Sequence, residues 1–269
     1  MALELVRQAI LAMMQGLTEI FPVSSSLHVL VYGTILGTNI SLGRLIFFHL
    51  GTAFAIAACH RQELAALASG RYGMRLPLLI AVALGATVVV SLLVRDVVLR
   101  WITAERHTLA LLWVLNGVVI ILAARYARGG SRRMVDLTFE DALLIGIVQG
   151  ITVIPGLSRL GLTLVITLLR GMSWSEGLRF SFLLSLPTIL AANLYLLLSE
   201  DLSAPPALLA SHLTFLADLV LVGLTFMIGI VAIRVLTRVI VLGRPVLHFF
   251  GIYCLTAGLF FALYLRLFE

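Results

Sequence analysis

Long apolar runs, broken at a few polar points, set the pattern of this 269-residue chain. Uninterrupted runs lie near 43–60, 75–94 and 107–127, and again near 175–198, 213–235 and 245–267. Each approaches or exceeds the roughly 18 apolar residues expected of a membrane-crossing helix. Two other apolar stretches are broken. Residues 2–37 are interrupted by Pro22 and the Ser24-Ser25-Ser26 triplet, and 140–171 by Pro155-Gly156. The pieces flanking the first break are short for a crossing at about 1.5 Å rise per residue. This pattern predicts a helical hairpin that enters the membrane and turns back, with its bend buried in protein or lining a wet cavity.

The two breaks repeat one another. Residues 15–28 read QGLTEIFPVSSSLH and residues 149–163 read QGITVIPGLSRLGLT. Gln15 and Gln149 lie 134 positions apart, half the chain, as an internal duplication requires. The expected architecture is all-α and integral to the membrane, one domain over 1–269 with repeats of about 1–134 and 135–269. Each repeat is one re-entrant helical hairpin plus three transmembrane helices. Three crossings between hairpins is an odd number, which predicts entry from opposite faces and an inverted-topology repeat with its site at the interface between halves. Pro187 is expected to kink the 175–198 helix.

Composition agrees: 61% of residues are hydrophobic and 12% charged, more apolar surface than a soluble fold of this size hides. No cleavable leader is evident, because the N-terminal apolar run flows straight into Gln15 and Glu19. All 19 basic residues are arginines. They are dispersed among loops, which argues for membrane topology and against nucleic acid as a partner. Of the arginines in expected loops, eleven fall on one side and six on the other, which also holds the arginine-free Ser199–His212 loop with Glu200 and Asp201. Positive-inside then places both termini outside. Cys59 and Cys254 lack metal-ligand spacing and read as small buried hydrophobes.

The duplicated bends differ where charge matters. Glu19 aligns with Val153, Ser25 with Ser158, and Ser26 with Arg159. A proline followed by serines starts a helix, so Ser24 or Ser25 and then Ser158 would cap two half-helices whose N-termini favour an anion. Arg159 adds a permanent fork suited to phosphate, and an arginine in an apolar segment is a functional candidate by default. Its partner is Glu19 or a bound anion. Glu19 can hold Mg²⁺ or Ca²⁺ or act as a base. Ser25 is a candidate nucleophile, with His28 one turn away as its base or as an acid for the leaving phosphate. Gln15, Ser24, Ser26, Ser158 and Thr163 complete the candidate site, whereas His49, Asn193 and Asp218 are assigned to helix-to-helix hydrogen bonding. The Arg-rich 125–133 loop suits anionic lipid head groups.

With residues 15–28, 155–159 and the Phe180-Ser181-Phe182-Leu183-Leu184 stretch before Pro187, the chain resembles the undecaprenyl-diphosphate phosphatases of the bacitracin-resistance type. The resemblance implies hydrolysis of a C55 polyprenyl diphosphate to the monophosphate and phosphate, recycling the lipid carrier of cell-wall glycan assembly. It further implies a divalent cation and a site open to the outer face of the cell membrane. Glu19 and Arg159 would be the central pair, with Ser25 and His28 in covalent or acid–base roles. Gln15 stands where that family often has glutamate, and Leu160 and Leu162 where a serine and an alanine are usual. A polyprenyl-phosphate transporter or flippase using the same anion site is the alternative, and the chain is compatible with a homodimer.

Overall fold

A computed structural model describes residues 2–38, 42–102, 106–127, 129–198 and 212–268. Those residues are helical throughout, apart from turns and one isolated β-bridge between Arg132 and Met172. Helices α1 (Ala2–Thr18) and α2 (Ser25–Ile35) form the first hairpin, followed by α3 (Leu42–Cys59), α4 (Arg61–Ala68), α5 (Arg75–Ile102) and α6 (Arg106–Tyr126). The second hairpin is α7 (Phe139–Ile151) and α8 (Arg159–Leu169), followed by α9 (Trp174–Leu198), α10 (His212–Val239) and α11 (Arg244–Phe268). Among the described residues, five segments are long and apolar enough to cross a membrane: Arg75–Val94, His107–Tyr126, Trp174–Tyr195, Leu216–Leu242 and Arg244–Leu267. This is a multi-pass membrane protein.

The expected runs thus became helices, although the 43–60 run, as α3, is not among those five segments. The arginine-bearing stretch after residue 60 forms the short helix α4 instead of an open loop. Helix α9 runs through Pro187 as one element, and the Thr188 hydroxyl donates to the Leu184 carbonyl (2.8 Å) in the turn where that proline is expected to bend it. The stretch expected to carry Glu200 and Asp201 lies outside the described residues.

Outward faces carry large apolar side chains such as Leu93, Phe249 and Phe260, as contact with lipid tails requires. Between helices, small residues and hydroxyls set the spacing, since lipid offers no hydrophobic drive for helices to associate. Helix α6 lies along α11, where a side chain on Gly117 would meet the Leu255 nitrogen at 2.5 Å. The glycines of the two Gln-Gly pairs do the same work in each half. A Cβ on Gly16 of α1 would strike the Thr225 carbonyl of α10 at 2.7 Å, and one on Gly150 of α7 would strike the Thr87 carbonyl of α5 at 2.9 Å. The threonines answer in kind. Thr225 Oγ1 donates to the Ala12 carbonyl (3.2 Å) and Thr87 Oγ1 to the Gly146 carbonyl (3.1 Å).

The largest buried apolar cluster wraps both bends, joining Ile20, Val23 and Leu27 to Trp113, Ile120, Leu160, Leu164 and Phe182. A Cβ on Gly161 would lie 2.9 Å from the Pro22 ring, so the bends touch. At the N-terminal end of α7, Thr138 and Asp141 cap each other reciprocally, and Asp141 takes Arg132 (2.6 Å) and Arg170 as ion-pair partners. Burial pushes the Asp141 carboxyl up, but the Thr138 N–H and the two guanidinium groups outweigh it and hold the carboxyl at about 2.

Candidate active site

Helix α1 ends at Thr18 because Pro22 cannot continue it, and the chain turns at 19–24 before α2 begins. Three successive carbonyls of the bend accept from side chains. The Cys254 thiol donates to Pro22 (3.6 Å), the Trp113 indole to Val23 (3.1 Å) and the His28 Nδ1–H to Ser24 (2.7 Å). Ser24 takes φ of 67°, and among the described residues it alone is a non-glycine in the left-handed region. That conformation costs about 1–2 kcal/mol and is held by those bonds.

The second bend is fastened to the same helix. Asn116, fully buried and one turn beyond Trp113 on α6, accepts from the Ser158 N–H (2.9 Å) and donates to Cys254 Sγ (3.4 Å). Ser158 Oγ accepts from the Gly161 N–H (3.1 Å) and caps α8, as its position after the proline predicts. Ser24 differs from that expectation. Its hydroxyl makes no cap bond and lies 3.4 Å from Ser26 Oγ, because the left-handed backbone turns it away from the helix start.

A cavity of about 160 Å³ opens where the bends meet, lined by Glu19, Ser24, Ser25, Ser26, Ser158 and Arg159, and also by Thr18, Thr152 and His49. Glu19 is its centre. Glu19 Oε2 accepts from the Ser25 hydroxyl and from Gln15 Nε2 (3.1 Å), and Oε1 lies 3.6 Å from Arg159 Nη1. That separation is an ion pair without a hydrogen bond, and the buried Nη1 has no other partner. The guanidinium therefore keeps donor capacity for an anion. The cavity is small for a whole lipid and suited to a phosphate group.

The structure brings together Glu19, Ser25, Arg159 and the serines, but it redistributes three predicted roles. Gln15 lies behind the cavity as a support for Glu19, and its Oε1 is buried without a partner. Thr163 does not reach the guanidinium: its hydroxyl donates to the Arg159 and Leu160 carbonyls of its own helix. His28 lies outside the cavity, fully buried, with its Nε2 2.7 Å from the Tyr253 hydroxyl and Trp113 edge-on to its ring. A carbonyl only accepts, so Nδ1 carries the proton and Nε2 accepts from Tyr253. Both ring nitrogens are occupied away from Ser25. The expected base for Ser25 is thus a clamp on the Ser24 peptide, while the hydroxyl itself points back to Glu19.

His49, assigned from sequence to interhelical bonding, instead enters the cavity with Nε2 3.7 Å from Glu19 Oε2. Its signal was the one used for Arg159, an ionisable group in an apolar run. Trp113 and Asn116 had no comparable signal. Cys254 is buried as expected, though its thiol is engaged.

Comparison with known proteins identifies the family. The family described as "Bacitracin resistance protein BacA" matches residues 8–260, and the chain belongs to that family. An undecaprenyl-diphosphatase of Carboxydothermus hydrogenoformans is 37% identical over 68% of this chain and 69% of its own length. Undecaprenyl-diphosphatase 1 of Burkholderia pseudomallei is 35% identical over 93% of each chain. An undecaprenyl-diphosphatase of Methanococcus vannielii is 28% identical over 95% of this chain and 98% of its own. These relatives are named for hydrolysis, and the transport alternative draws no support from them.

Proposed function

We propose that this protein is an undecaprenyl-diphosphate phosphatase that removes the terminal phosphate of the membrane-bound diphosphate and returns the monophosphate to cell-wall glycan synthesis. One observation carries the reading: the Ser25 hydroxyl is bonded to Glu19 inside a cavity walled on its far side by an incompletely satisfied Arg159. Family membership supplies the lipid.

Ser25 Oγ is the nucleophile toward the terminal phosphorus, and Glu19 accepts its proton as the new bond forms. The bond from that phosphorus to the bridging oxygen breaks and leaves the prenyl monophosphate. Arg159 and the unpaired first-turn N–H groups of α2 and α8 hold the phosphoryl oxygens, where charge develops. Water then releases phosphate from Ser25.

Glu19 is the one carboxylate of the cavity, and no group of three His, Cys, Asp or Glu side chains that could hold a metal exists among the described residues. Glu19, with the orphaned Gln15 Oε1 beside its carboxylate, would hold a divalent cation such as Mg²⁺ or Ca²⁺, since both offer oxygen donors of the right chemistry. When bound, it would neutralise diphosphate charge.

Inverted repeats are supported by the exchanged contacts, α1 on α10 and α7 on α5, made through Gly16 and Gly150. The arginine bias, eleven against six, favours both termini outside and a site opening to the outer face of the cell membrane. To test the reading, purified protein is incubated with C55 prenyl diphosphate and Mg²⁺ and released phosphate is measured. Release by wild type and its loss in Ser25→Ala are expected; an inactive wild type, or an active Ser25→Ala, refutes it.

A further inference from the structure

Beside the active-site cavity lies a second hollow, a groove of about 420 Å³ between α2 and α11. We propose that it seats the first part of the substrate's prenyl chain, and that a chain lying there steadies the first bend for catalysis. This inference rests on the phosphatase reading above.

Tyr32 and Ile35 of α2, Tyr253, Phe260 and Tyr264 of α11, and Trp113 of α6 form its walls. Among the described residues that line it, none is charged. Thr256 carries the one aliphatic hydroxyl, and that hydroxyl donates to the Ile252 and Tyr253 carbonyls of its own helix (2.9 and 3.0 Å). The surface is therefore apolar and rich in aromatic rings. It suits an unsaturated, methyl-branched hydrocarbon chain and offers little to a polar head group.

Two observations tie the groove to the substrate. The active-site cavity, about 160 Å³, has room for a phosphate group but not for the lipid attached to it. Helix α2 serves both places: Ser25 and Ser26 line the cavity, and Val31 and Tyr32 line the groove. From Ser25 to Tyr32 is about 10 Å along the helix, a span of a few isoprene units.

The second observation concerns the groove's own walls, because two of them also hold the bend. Trp113 Nε1 donates to the Val23 carbonyl (3.1 Å). The Tyr253 hydroxyl donates to His28 Nε2 (2.7 Å), whose Nδ1–H in turn holds the Ser24 carbonyl (2.7 Å). Ser24 is the residue at φ of 67°, and Ser25 follows it directly. A hydrocarbon chain packed on the Trp113 and Tyr253 rings restricts both, and through them the two peptides that aim Ser25. Contact remote from the phosphorus then acts at the reacting centre, so its loss shows in kcat and not in KM alone. An ordinary acyl lipid in the same groove would not distinguish one prenyl substrate from another.

The test uses full-length protein and compares C55 prenyl diphosphate with the C5 diphosphate, whose single isoprene unit is too short to reach the groove. Released phosphate is measured in the same detergent for both. Wild type should show the higher kcat on C55. Ala257→Phe fills the groove and should lower the ratio of the two kcat values by about 10-fold or more, the effect of a misfit in a hydrophobic pocket. Phe260→Ala truncates a side chain that is 75% exposed, and should lower the same ratio by less. A C55 diphosphate bearing a diazirine on an early isoprene unit should label α11 within 253–264 in wild type, and should label it less in Ala257→Phe.

A ratio unchanged in both variants overturns the proposal and leaves the phosphatase reading standing. So does an effect confined to KM, or an equal loss on both substrates, which would mark the groove as a brace without a chain in it. Equal turnover of C55 and C5 by wild type, or α11 labelling displaced by excess phosphatidylglycerol, would assign the groove to ordinary membrane lipid and likewise overturns it. If Ala257→Phe does not fold, Phe260→Ala decides. A wild type that releases no phosphate from C55 overturns both readings.

Discussion

Replacing Asn116 by leucine tests whether α6 sets the position of Arg159. The side chain is fully buried, and its oxygen is the acceptor for the Ser158 N–H at 2.9 Å, immediately before the arginine. Leucine has similar bulk but no acceptor, so that N–H would be stranded in apolar surroundings. A buried donor left unsatisfied costs about 1–3 kcal/mol. If the cost appears as displacement of the α8 start away from the phosphoryl group, it corresponds to roughly 5- to 150-fold in kcat. If it appears only as instability, thermal unfolding in detergent shifts while kcat of the folded fraction holds. Cys254→Ala provides a scale, because the sulfur contacts at 3.4 and 3.6 Å are weak and their loss should cost less than about 1 kcal/mol. Phosphate release and unfolding are measured on the same preparations. An Asn116→Leu enzyme matching wild type in both would refute the bracing of the second bend.

Three further outcomes follow from the geometry. Tyr253→Phe removes the donor to His28 Nε2 and leaves a buried acceptor unpaired, so unfolding in detergent should come earlier by about 1–3 kcal/mol. Asp141→Asn weakens two guanidinium contacts and should destabilise by about 1.5–3 kcal/mol, the range for hydrogen bonds to charged groups. Because the Asp141 carboxyl sits below its unfolded value of 3.8, at about 2, its contribution is present above pH 3.8 and lost as pH falls toward 2. An acid titration of unfolding should show that loss in wild type and not in Asp141→Asn. Glu19→Gln removes the proton acceptor of Ser25 and should lower kcat by about 10²-fold or more, read from phosphate release.

Much of this was legible in the chain because a bilayer leaves few choices. A spanning helix must be apolar for its whole length, so α5, α6, α9, α10 and α11 announced themselves, and a proline followed by serines inside such a run marks a buried bend. The pairing of Glu19 with Arg159 was legible from the charge difference between the duplicated motifs. What escaped was rotation about the helix axes and the partners met there. Ser25 and His28 share a face by spacing, yet Ser25 precedes the first full turn and its hydroxyl reaches back to Glu19, while His28 turns to α6 and α11. His49 faces the cavity because α3 packs beside α1, which no local pattern records. Trp113 and Asn116 are ordinary residues of an apolar run until the two bends are brought against one turn of α6. Helix α4 was hidden because eight residues of mixed polarity carry little periodic signal.

The central claim is that two bends place Glu19 and Arg159 about one phosphoryl group, and Arg159→Ala tests it most directly. Phosphate release from C55 prenyl diphosphate should show kcat/KM lower by about 10²- to 10³-fold, the cost of removing a transition-state charge partner. A variant whose kcat/KM stays within about twofold of wild type, a difference under ~0.5 kcal/mol, would contradict it.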